Sequence, residues 1–260
     1  MLRLGTSIPS SGPRAALPAG TPAAEELLIA GSCWRLGRPL DGYSRMRGSG
    51  LATQVAAGRC LDVLEPCSAR GGRLKVRLLE DGYPCWLEQA DLLGAALAAE
   101  PPRRRLLDPG RIEAALPAVL HYASQAADKP NHYLWGGTTG PNYDCSGLVQ
   151  SAFASAGIWI PRDAYQQERF CQAVAIRPSL FSLVRPGDLI FFGRPQRCTH
   201  VGLYLGKGRY LHSSGAEHGH NGLAVDQLAA HSRDPVASHY RSELRGAGRV
   251  VRCHDGTTLP

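Results

Sequence analysis

One short segment, Asp144-Cys145-Ser146-Gly147, constrains the fold and chemistry of this chain more than any other. The apolar side chains that follow it recur at helical spacing, so we expect a helix that Asp144 caps and Gly157 ends. Cys145 then lies in the first turn, where free backbone N–H groups and the positive end of the helix dipole favour an anion. The apolar positions of this helix are Leu148, Val149, Ala152, Phe153 and Ala156.

Two histidines further along the chain lie on a pattern typical of a β-hairpin. Apolar and other residues alternate from His200 to Leu205, and the alternation resumes after the turn-prone segment Gly206-Lys-Gly-Arg. His200 and His212 share one face if the connecting loop has an odd number of residues, such as three with a glycine in the left-handed region. In that register the Val and Leu side chains form core, and both imidazoles face a cleft.

A nucleophile, a base and a residue that orients the base are the parts that thiol catalysis needs. Each part alone has a simpler interpretation, since free cysteines and strand histidines are more often structural. A capped helix start with Cys145, followed by two histidines on one face, favours catalysis. We also expect the helix terminus and a neighbouring imidazolium to lower the pKa of the Cys145 thiol by several units.

With these motifs, the chain resembles the NlpC-type papain-like cysteine peptidases of bacterial cell-wall peptides. It is most similar to the cyanobacterial γ-D-glutamyl-L-diamino acid endopeptidases, which carry an SH3-like domain before the catalytic one. The resemblance spans roughly residues 30 to 252. It rests on Tyr133-Leu-Trp-Gly-Gly, Asp144-Cys-Ser-Gly-Leu, Pro161-Arg-Asp-Ala-Tyr-Gln-Gln, Arg185-Pro-Gly-Asp-Leu-Ile-Phe-Phe, Thr199-His-Val-Gly-Leu-Tyr and His212-Ser-Ser-Gly.

The resemblance implies a role for each catalytic position. Cys145 is the nucleophile, His200 the general base and acid, and His212 the polar partner that orients His200. Tyr133 matches the tyrosine whose hydroxyl joins the Cys145 N–H in the oxyanion hole. Trp135 is interpreted as a wall of the cleft, with a purely structural tryptophan as the alternative.

Substrate recognition is implied to depend on the ammonium group of a free N-terminal L-alanine, and Asp144 and Asp163 are the matching carboxylates. Each has a structural alternative, Asp144 as the helix cap and Asp163 as the start of a capping box with Gln166. Because a carboxylate beside Cys145 raises the thiol pKa, we hypothesise that the substrate ammonium partly neutralises Asp144 and so activates the occupied site.

Further substrate contacts are implied outside the catalytic residues. Tyr83 matches a tyrosine that the SH3-like domain lends to the pocket, with Glu80 or Asp81 as weaker contributors of charge. Ser146 and Ser213 are candidates for hydroxyl contacts to the substrate.

The elements predict an α+β chain, since helices come first and an antiparallel sheet follows. Short strands separated by turns precede them and are consistent with a five- to six-stranded barrel, which the resemblance identifies as SH3-like. In the helical part, Asp108-Pro109 starts a helix that is interrupted or kinked at Pro117, and the last strand is Gly248–Arg252. The predicted organisation is a flexible tail over 1–27, the barrel over 28–95, a linker over 96–108, the papain-like NlpC-type domain over 109–253 and a C-terminal tail over 254–260.

Charge and cysteine content narrow the function classes. The chain has 29 Lys and Arg against 22 Asp and Glu residues, yet its tight basic cluster is limited to Arg103-Arg-Arg after two prolines. Without a basic stripe interleaved with aromatic residues, we expect no nucleic-acid partner and favour anionic wall peptides. The 8 cysteines include no Cys-x-x-Cys pair, which argues against a zinc ribbon or finger.

No cofactor and no metal are expected, and His218 and His220 are interpreted as part of a mobile loop at the cleft rim. No apolar run of about 18 residues or more occurs, so no membrane span is expected. The N-terminal residues lack the apolar centre of a secretory signal, and we therefore expect a cytoplasmic protein with reduced thiols.

The resulting hypothesis is a cysteine endopeptidase that cuts the γ-D-glutamyl to meso-diaminopimelate bond of murein peptides with a free L-alanine, in cell-wall peptide recycling. Two alternatives stay open. The same scaffold serves amidases and acyltransferases, which form the thioester from a different acyl donor. A non-catalytic wall-binding module is the other.

Overall fold

The N-terminal part of the protein is one antiparallel sheet. The computed structural model describes residues 17–68 and 71–257. Its first strands and short helix are β1 (Cys33–Leu36), β2 (Leu40–Tyr43), β3 (Leu51–Val55), β4 (Cys60–Glu65), β5 (Arg73–Leu78), β6 (Pro84–Glu88), α1 (Gln89–Leu92) and β7 (Ala96–Ala98). They pair in the order β3-β2-β6-β5-β4-β1-β7, which is one strand more than the five to six predicted.

Strand β5 shows why this sequence forms a sheet with one buried face. Leu74, Val76 and Leu78 are fully buried, and the residues that alternate with them are only half-buried. A period of two places alternate side chains on opposite faces, so the basic residues between the leucines and the valine face outward. This pattern agrees with the small unit of short strands predicted for this part of the chain.

The boundaries of this sheet correct two predictions. Strand β7 pairs with β1 through Trp34 and Ala98, so the sheet includes residues expected in the linker. Upstream, the Gly20 N–H donates to the Ala98 carbonyl, the Ala23 N–H donates to the Ala96 carbonyl, and Leu28 is buried. Residues 20–27 are therefore docked on the sheet rather than a flexible tail, and residues 1–16 of that prediction lie outside the described residues.

The C-terminal part combines four helices with a second antiparallel sheet. Its elements are α2 (Pro109–Ala127), α3 (Cys145–Ser155), α4 (Ala164–Phe170), β8 (Gln172–Val174), β9 (Leu189–Arg194), β10 (Arg197–Gly206), β11 (Arg209–Ser214), β12 (Gly222–Gln227), α5 (Pro235–Ser242) and β13 (Leu244–Arg249). The strands pair in the order β12-β11-β10-β9-β13-β8. One core joins α2 and α3 to the sheet, and a second core contains Tyr240 of α5. This arrangement is the predicted α+β class.

Helix α3 begins and ends as its sequence predicts. The Asp144 carboxylate accepts the Gly147 N–H at 2.7 Å, which caps the first turn. Gly157 takes a φ of +75° and the Ile158 N–H donates to the Phe153 carbonyl, which closes the last turn. Cys145 is thereby fixed as the first helical residue.

Helix α2 and the chain end differ from prediction in detail. Asp108 caps α2 as expected, but the helix continues through Pro117 without interruption. The last strand, β13, runs Leu244–Arg249 and begins four residues before the predicted Gly248–Arg252. The prediction missed its first residues because the Gly-rich sequence lacks apolar alternation. His254 is buried and its N–H donates to the Trp159 carbonyl, so the predicted C-terminal tail is docked at that residue.

The hairpin of β10 and β11 places both histidines on one face through a different turn from the one expected. Lys207 and Gly208 both have positive φ, which is the geometry of a two-residue turn. The register shifts between Tyr204 and Gly206, so a bulge at Leu205 supplies the odd residue. His200 and His212 therefore share a face.

The two parts of the protein are in direct contact. Gln54 of β3 accepts the Thr139 hydroxyl at 2.7 Å, and the Arg59 guanidinium lies 4.5 Å over the ring of Trp159. The Gln150 amide donates to Asp81 at 2.8 Å. These contacts fix the edge of the first sheet against the loops around α3. Within the described residues, no helix is both long and apolar enough to cross a membrane.

Candidate active site

Cys145 lies where the start of α3 meets strand β10. Its side chain is only 6% exposed, and the backbone N–H groups of Val201 and Ser146 donate to the thiol. Gly147 has no room for a side chain, because a Cβ there would overlap the Gly137 carbonyl oxygen. The helix start is thus packed tightly onto the preceding loop, which holds the thiol in place.

At rest the thiol of Cys145 and the imidazole of His200 are both neutral. Burial, followed by the Asp144 carboxylate, raises the pKa of the Cys145 thiol to about 12. Burial and the neighbouring His212 lower the pKa of His200 well below its usual value. The prediction of a lowered thiol pKa is therefore wrong for the unliganded protein, because burial outweighs the helix terminus.

Three adjacent strands present a chain of imidazole and carboxylate groups. His200 Nε2 lies 2.7 Å from His212 Nδ1, and His212 Nε2 lies 2.9 Å from Asp226 Oδ2. His220 Nε2 reaches the same carboxylate at 3.1 Å. His200 comes from β10, His212 from β11 and Asp226 from β12, so the sheet order sets the order of the chain.

Aromatic rings enclose this chain of polar groups. The ring of Tyr240 stacks on His200 with centroids 4.4 Å apart and meets His212 edge-on at 4.8 Å. Phe192 lies 5.9 Å from His200 on β9. These contacts restrict rotation of the His200 ring, so its nitrogens face fixed directions.

Tyr133 shares the site with Cys145. Burial, then the charges of Cys145 and Asp144, raise the pKa of the Tyr133 hydroxyl. The hydroxyl is therefore a protonated donor close to the thiol. Its backbone is held by an N–H bond to the Asn221 carbonyl and a bridge to Tyr143.

Asp144 is fully engaged by protein groups. The two carboxylate oxygens accept from Arg162 at 2.6 and 3.1 Å, from the Gly136 N–H at 2.8 Å and from the Gly147 N–H at 2.7 Å. Arg162 is itself 2% exposed and also donates to Thr53 of β3. Arg162 thus neutralises Asp144, which the sequence hypothesis assigned to the substrate ammonium.

Asp163 is engaged by one group from the loop between β5 and β6. Its carboxylate accepts the Tyr83 hydroxyl at 3.4 Å, and its side chain makes no capping bond to α4, so the predicted capping box is absent. Burial raises the pKa of the Asp163 carboxyl, although Arg162 opposes that shift. The structure therefore brings Tyr83 and Asp163 together at one end of the site.

The remaining predicted residues divide between structure and surface. Ser213 is fully buried and donates to the Tyr143 carbonyl at 2.6 Å, so its hydroxyl is not available to substrate. The Ser146 hydroxyl is buried between Asp144 and Arg162. Trp135 is 70% exposed and is not a core tryptophan. Glu80 and Asp81 both pair with Arg59 at 3.1 and 2.7 Å, so both carboxylates are engaged by protein rather than free for substrate.

Sequence reasoning missed Arg162, Asp226 and the role of His220. Arg162 stands within the quoted Pro161-Arg-Asp motif, but its burial against Asp144 depends on tertiary contacts. The sequence groups His220 with His218 in one loop, whereas the structure places His220 against Asp226 of β12. The ligand atoms of His212, His220 and Asp226 lie within 4.8 Å of one another, which makes these residues a candidate donor set for a divalent transition metal.

Comparison with known proteins matches both parts of the chain. The NlpC/P60 family matches residues 130–241, and the bacterial dipeptidyl-peptidase SH3 domain matches residues 42–92. A crystal structure of an NlpC/P60 family protein from Bacillus cereus has a TM-score of 0.42 and 24% identity, covering 85% of this chain and 64% of that chain.

Two curated relatives from Bacillus subtilis are similar over the C-terminal part. A bifunctional muramidase/DL-endopeptidase is 37% identical over 122 residues, which cover 45% of this chain and 32% of that protein. A γ-D-glutamyl-L-lysine dipeptidyl-peptidase is 42% identical over 84 residues, covering 31% of this chain and 27% of that protein. The chain spans less than a third of either relative. The chain thus contains an NlpC/P60 domain in its C-terminal part, preceded by an SH3 domain of the bacterial dipeptidyl-peptidase type.

Proposed function

We propose that this protein is a cysteine endopeptidase that hydrolyses the γ-D-glutamyl to meso-diaminopimelate bond of murein peptides with a free N-terminal L-alanine. The observation that carries the proposal is that the Cys145 thiol lies against β10, where the N–H of Val201, the residue after His200, reaches it, while the Tyr83–Asp163 pair supplies a second carboxylate beside Arg162. The first arrangement supports acyl transfer. The second supports selection of a free amine.

The reaction follows from the groups around Cys145. His200 takes the thiol proton as Sγ attacks the γ-carbonyl of D-glutamate, because both groups are neutral at rest. The Cys145 N–H has no partner within the helix, and it and the Tyr133 hydroxyl receive the oxyanion. His200 then protonates the departing amine. Water hydrolyses the remaining L-Ala-γ-D-Glu thioester and regenerates the thiol.

Asp163 is the group that we assign to the alanine ammonium. The half-buried Asp163 carboxylate accepts one long hydrogen bond, and partial burial raises its pKa, so a cation beside it is favourable. Asp144 is less suited to this role, because Arg162 already occupies both of its oxygens. Tyr83 closes this end of the cleft from the SH3 side.

Recognition of a free amine favours peptides already released from glycan strands. In intact murein the alanine nitrogen is acylated and carries no charge, so it would leave Asp163 without a partner. We therefore assign the protein to recycling of murein peptides in the cytoplasm. One relative is named for a γ-D-glutamyl-L-lysine bond, so L-lysine is the natural alternative at the third residue.

Mass spectrometry of the reaction products tests the proposal. Purified protein is incubated with L-Ala-γ-D-Glu-meso-diaminopimelate, with its L-lysine counterpart and with the N-acetylated form of each. We expect L-Ala-D-Glu and free diamino acid from the unblocked peptide and no products with the Cys145→Ala variant. Cleavage of neither form would overturn the proposal in favour of acyl transfer to another donor or of wall binding.

A further inference from the structure

We infer that Asp226 is a positioning residue that fixes the ring tautomers of both histidines and so leaves His200 Nδ1 free to act as the base. This inference rests on the proposed function and deepens it. Among the described residues, the Asp226 carboxylate accepts from His212 and His220. It acts through His212, whose other nitrogen contacts His200.

The proton positions follow from a single constraint at the end of the chain. An aspartate carboxyl has an ordinary pKa of about 3.9, and two imidazole nitrogens face that of Asp226, His212 Nε2 at 2.9 Å and His220 Nε2 at 3.1 Å. The carboxylate is therefore ionised at neutral pH and only accepts hydrogen bonds. His212 must then carry its proton on Nε2, which faces Asp226 at 2.9 Å.

The constraint passes from His212 to His200. A neutral imidazole with a proton on Nε2 has a bare Nδ1, so His212 Nδ1 accepts a hydrogen bond. The group that faces it at 2.7 Å is His200 Nε2, which must donate. His200 Nδ1 is consequently the bare nitrogen, and it is the nitrogen that remains to take a proton from Cys145.

Without Asp226 the opposite arrangement satisfies the same pair. His212 would donate from Nδ1, His200 Nε2 would accept, and the proton of His200 would lie on Nδ1. In that tautomer His200 Nδ1 carries a proton and has no lone pair to accept the thiol proton. A carboxylate that holds a catalytic imidazole in one tautomer has this function in serine proteases, where its loss lowers kcat by about 10⁴-fold.

His220 supports the carboxylate from the solvent side. Its Nε2 lies 3.1 Å and 3.2 Å from the two oxygens of Asp226, and its backbone N–H donates to the Ser214 hydroxyl. Asp226 is 8% exposed, so His220 covers an otherwise open end of the chain. We expect His220 to hold the orientation of Asp226, with a smaller effect than Asp226 itself.

Nitrogen-15 NMR of the imidazole rings tests the tautomers directly in the unliganded protein. The samples contain EDTA so that no metal occupies His212, His220 and Asp226, and His200→Gln and His212→Gln variants assign the signals. In the wild type we expect a proton on Nε2 and a bare Nδ1 in both rings. A bare Nε2 on His212 in the wild type would overturn the inference, and this readout needs no substrate and no variant at Asp226.

Variants at Asp226 connect the tautomer to turnover. Asp226→Ala is expected to move protons onto Nδ1 and to lower kcat by about 100-fold or more with a smaller change in KM. Asp226→Glu restores part of both, and Glu217→Gln, an equal charge change on an exposed loop, alters neither. Wild-type tautomers with full kcat in Asp226→Ala would contradict the inference. Inactive wild-type protein would instead contradict the proposed function.

Discussion

Two aspartates lie at the N-termini of neighbouring helices, and their carboxylates differ in how many hydrogen bonds they accept. Asp144, before α3, accepts four hydrogen bonds from Arg162 and two backbone N–H groups. Asp163, before α4, accepts one long bond from the Tyr83 hydroxyl. A buried carboxylate with every oxygen engaged holds the fold, whereas one with few partners can bind a cation. The same residue type thus gives structure in one region and a recognition site in the other.

The largest expected effect is on stability at Asp144. Asp144→Asn leaves the buried Arg162 guanidinium without its counter-charge, and we expect the free energy of unfolding to fall by about 3–5 kcal/mol. Urea unfolding followed by circular dichroism measures this loss. Asp108→Asn, at the exposed cap of α2, is the matched control and should stay within about 0.5 kcal/mol of wild type, since Asn caps as well as Asp. Equal stability of wild type and Asp144→Asn would contradict the structural role.

The next effect is on activity at Asp163. Asp163→Asn removes the proposed ammonium partner, and we expect kcat/KM for the free peptide to fall by about 100-fold. Stability should behave in the opposite way from Asp144→Asn. A carboxyl whose pKa is raised by folding contributes stability when protonated and loses it as pH rises through that pKa. Asn is always neutral, so the variant should unfold within about 1 kcal/mol of wild type or slightly above it.

The same sign gives a pH dependence. As pH falls through the raised pKa of Asp163, the carboxylate is protonated and the pocket loses its charge. We expect KM for the free peptide to rise in the acid range for wild type, and this acid limb to be absent in Asp163→Asn. Steady-state kinetics across pH measures both curves, and an identical acid limb in the variant would assign the titration to another group.

A smaller effect is expected at Tyr83, which reaches Asp163 from the SH3 domain. Tyr83→Phe removes one hydrogen bond to a charged group, so KM for the free peptide should rise by about 10-fold with kcat nearly unchanged. Tyr43→Phe, on β2 of the same domain, is the matched control, because its ring contacts Arg73. An unchanged KM in Tyr83→Phe would remove the SH3 domain from substrate recognition.

The smallest expected effect separates Asp163 from thiol chemistry. Because burial and Asp144 raise the pKa of Cys145 to about 12, the rate of alkylation by iodoacetamide should climb with pH through the neutral and alkaline range without a plateau. Asp163→Asn should change this rate by less than about twofold. The Cys145→Ala variant identifies the signal of this thiol by peptide mapping. A plateau near neutral pH would show a resting thiolate instead.

The parts of the fold that sequence predicts best are those set by local chemistry. The cap at Asp144, the apolar spacing of α3 and the glycine at its end all lie within one segment, and the structure agrees with each. The shared face of His200 and His212 was also predicted, although a bulge rather than a three-residue loop produces it. Strands β2 and β7 were missed, because a polar four-residue segment and a three-residue segment carry little alternation.

The parts that sequence could not predict depend on contacts between distant segments. Arg162 meets Thr53 across 109 positions in the chain, and Asp226 meets His212 only because β11 and β12 are neighbours. The role of Asp144 differs from the prediction for the same reason. The sequence does not show that Arg162, from a separate segment, lies against the Asp144 carboxylate. Burial explains why the predicted fall in the pKa of the Cys145 thiol does not occur. The helix terminus favours a thiolate, but desolvation of the buried thiol outweighs that effect.

The most direct test of this account is the selectivity for a free amine in wild type and in Asp163→Asn. The ratio of kcat/KM for L-Ala-γ-D-Glu-meso-diaminopimelate to kcat/KM for its N-acetylated form is measured for each protein. If Asp163 binds the alanine ammonium, this ratio is about 100 or more in wild type and near one in the variant. An equally large ratio in Asp163→Asn would contradict the claim that the Asp163 carboxylate binds the free amine of the peptide.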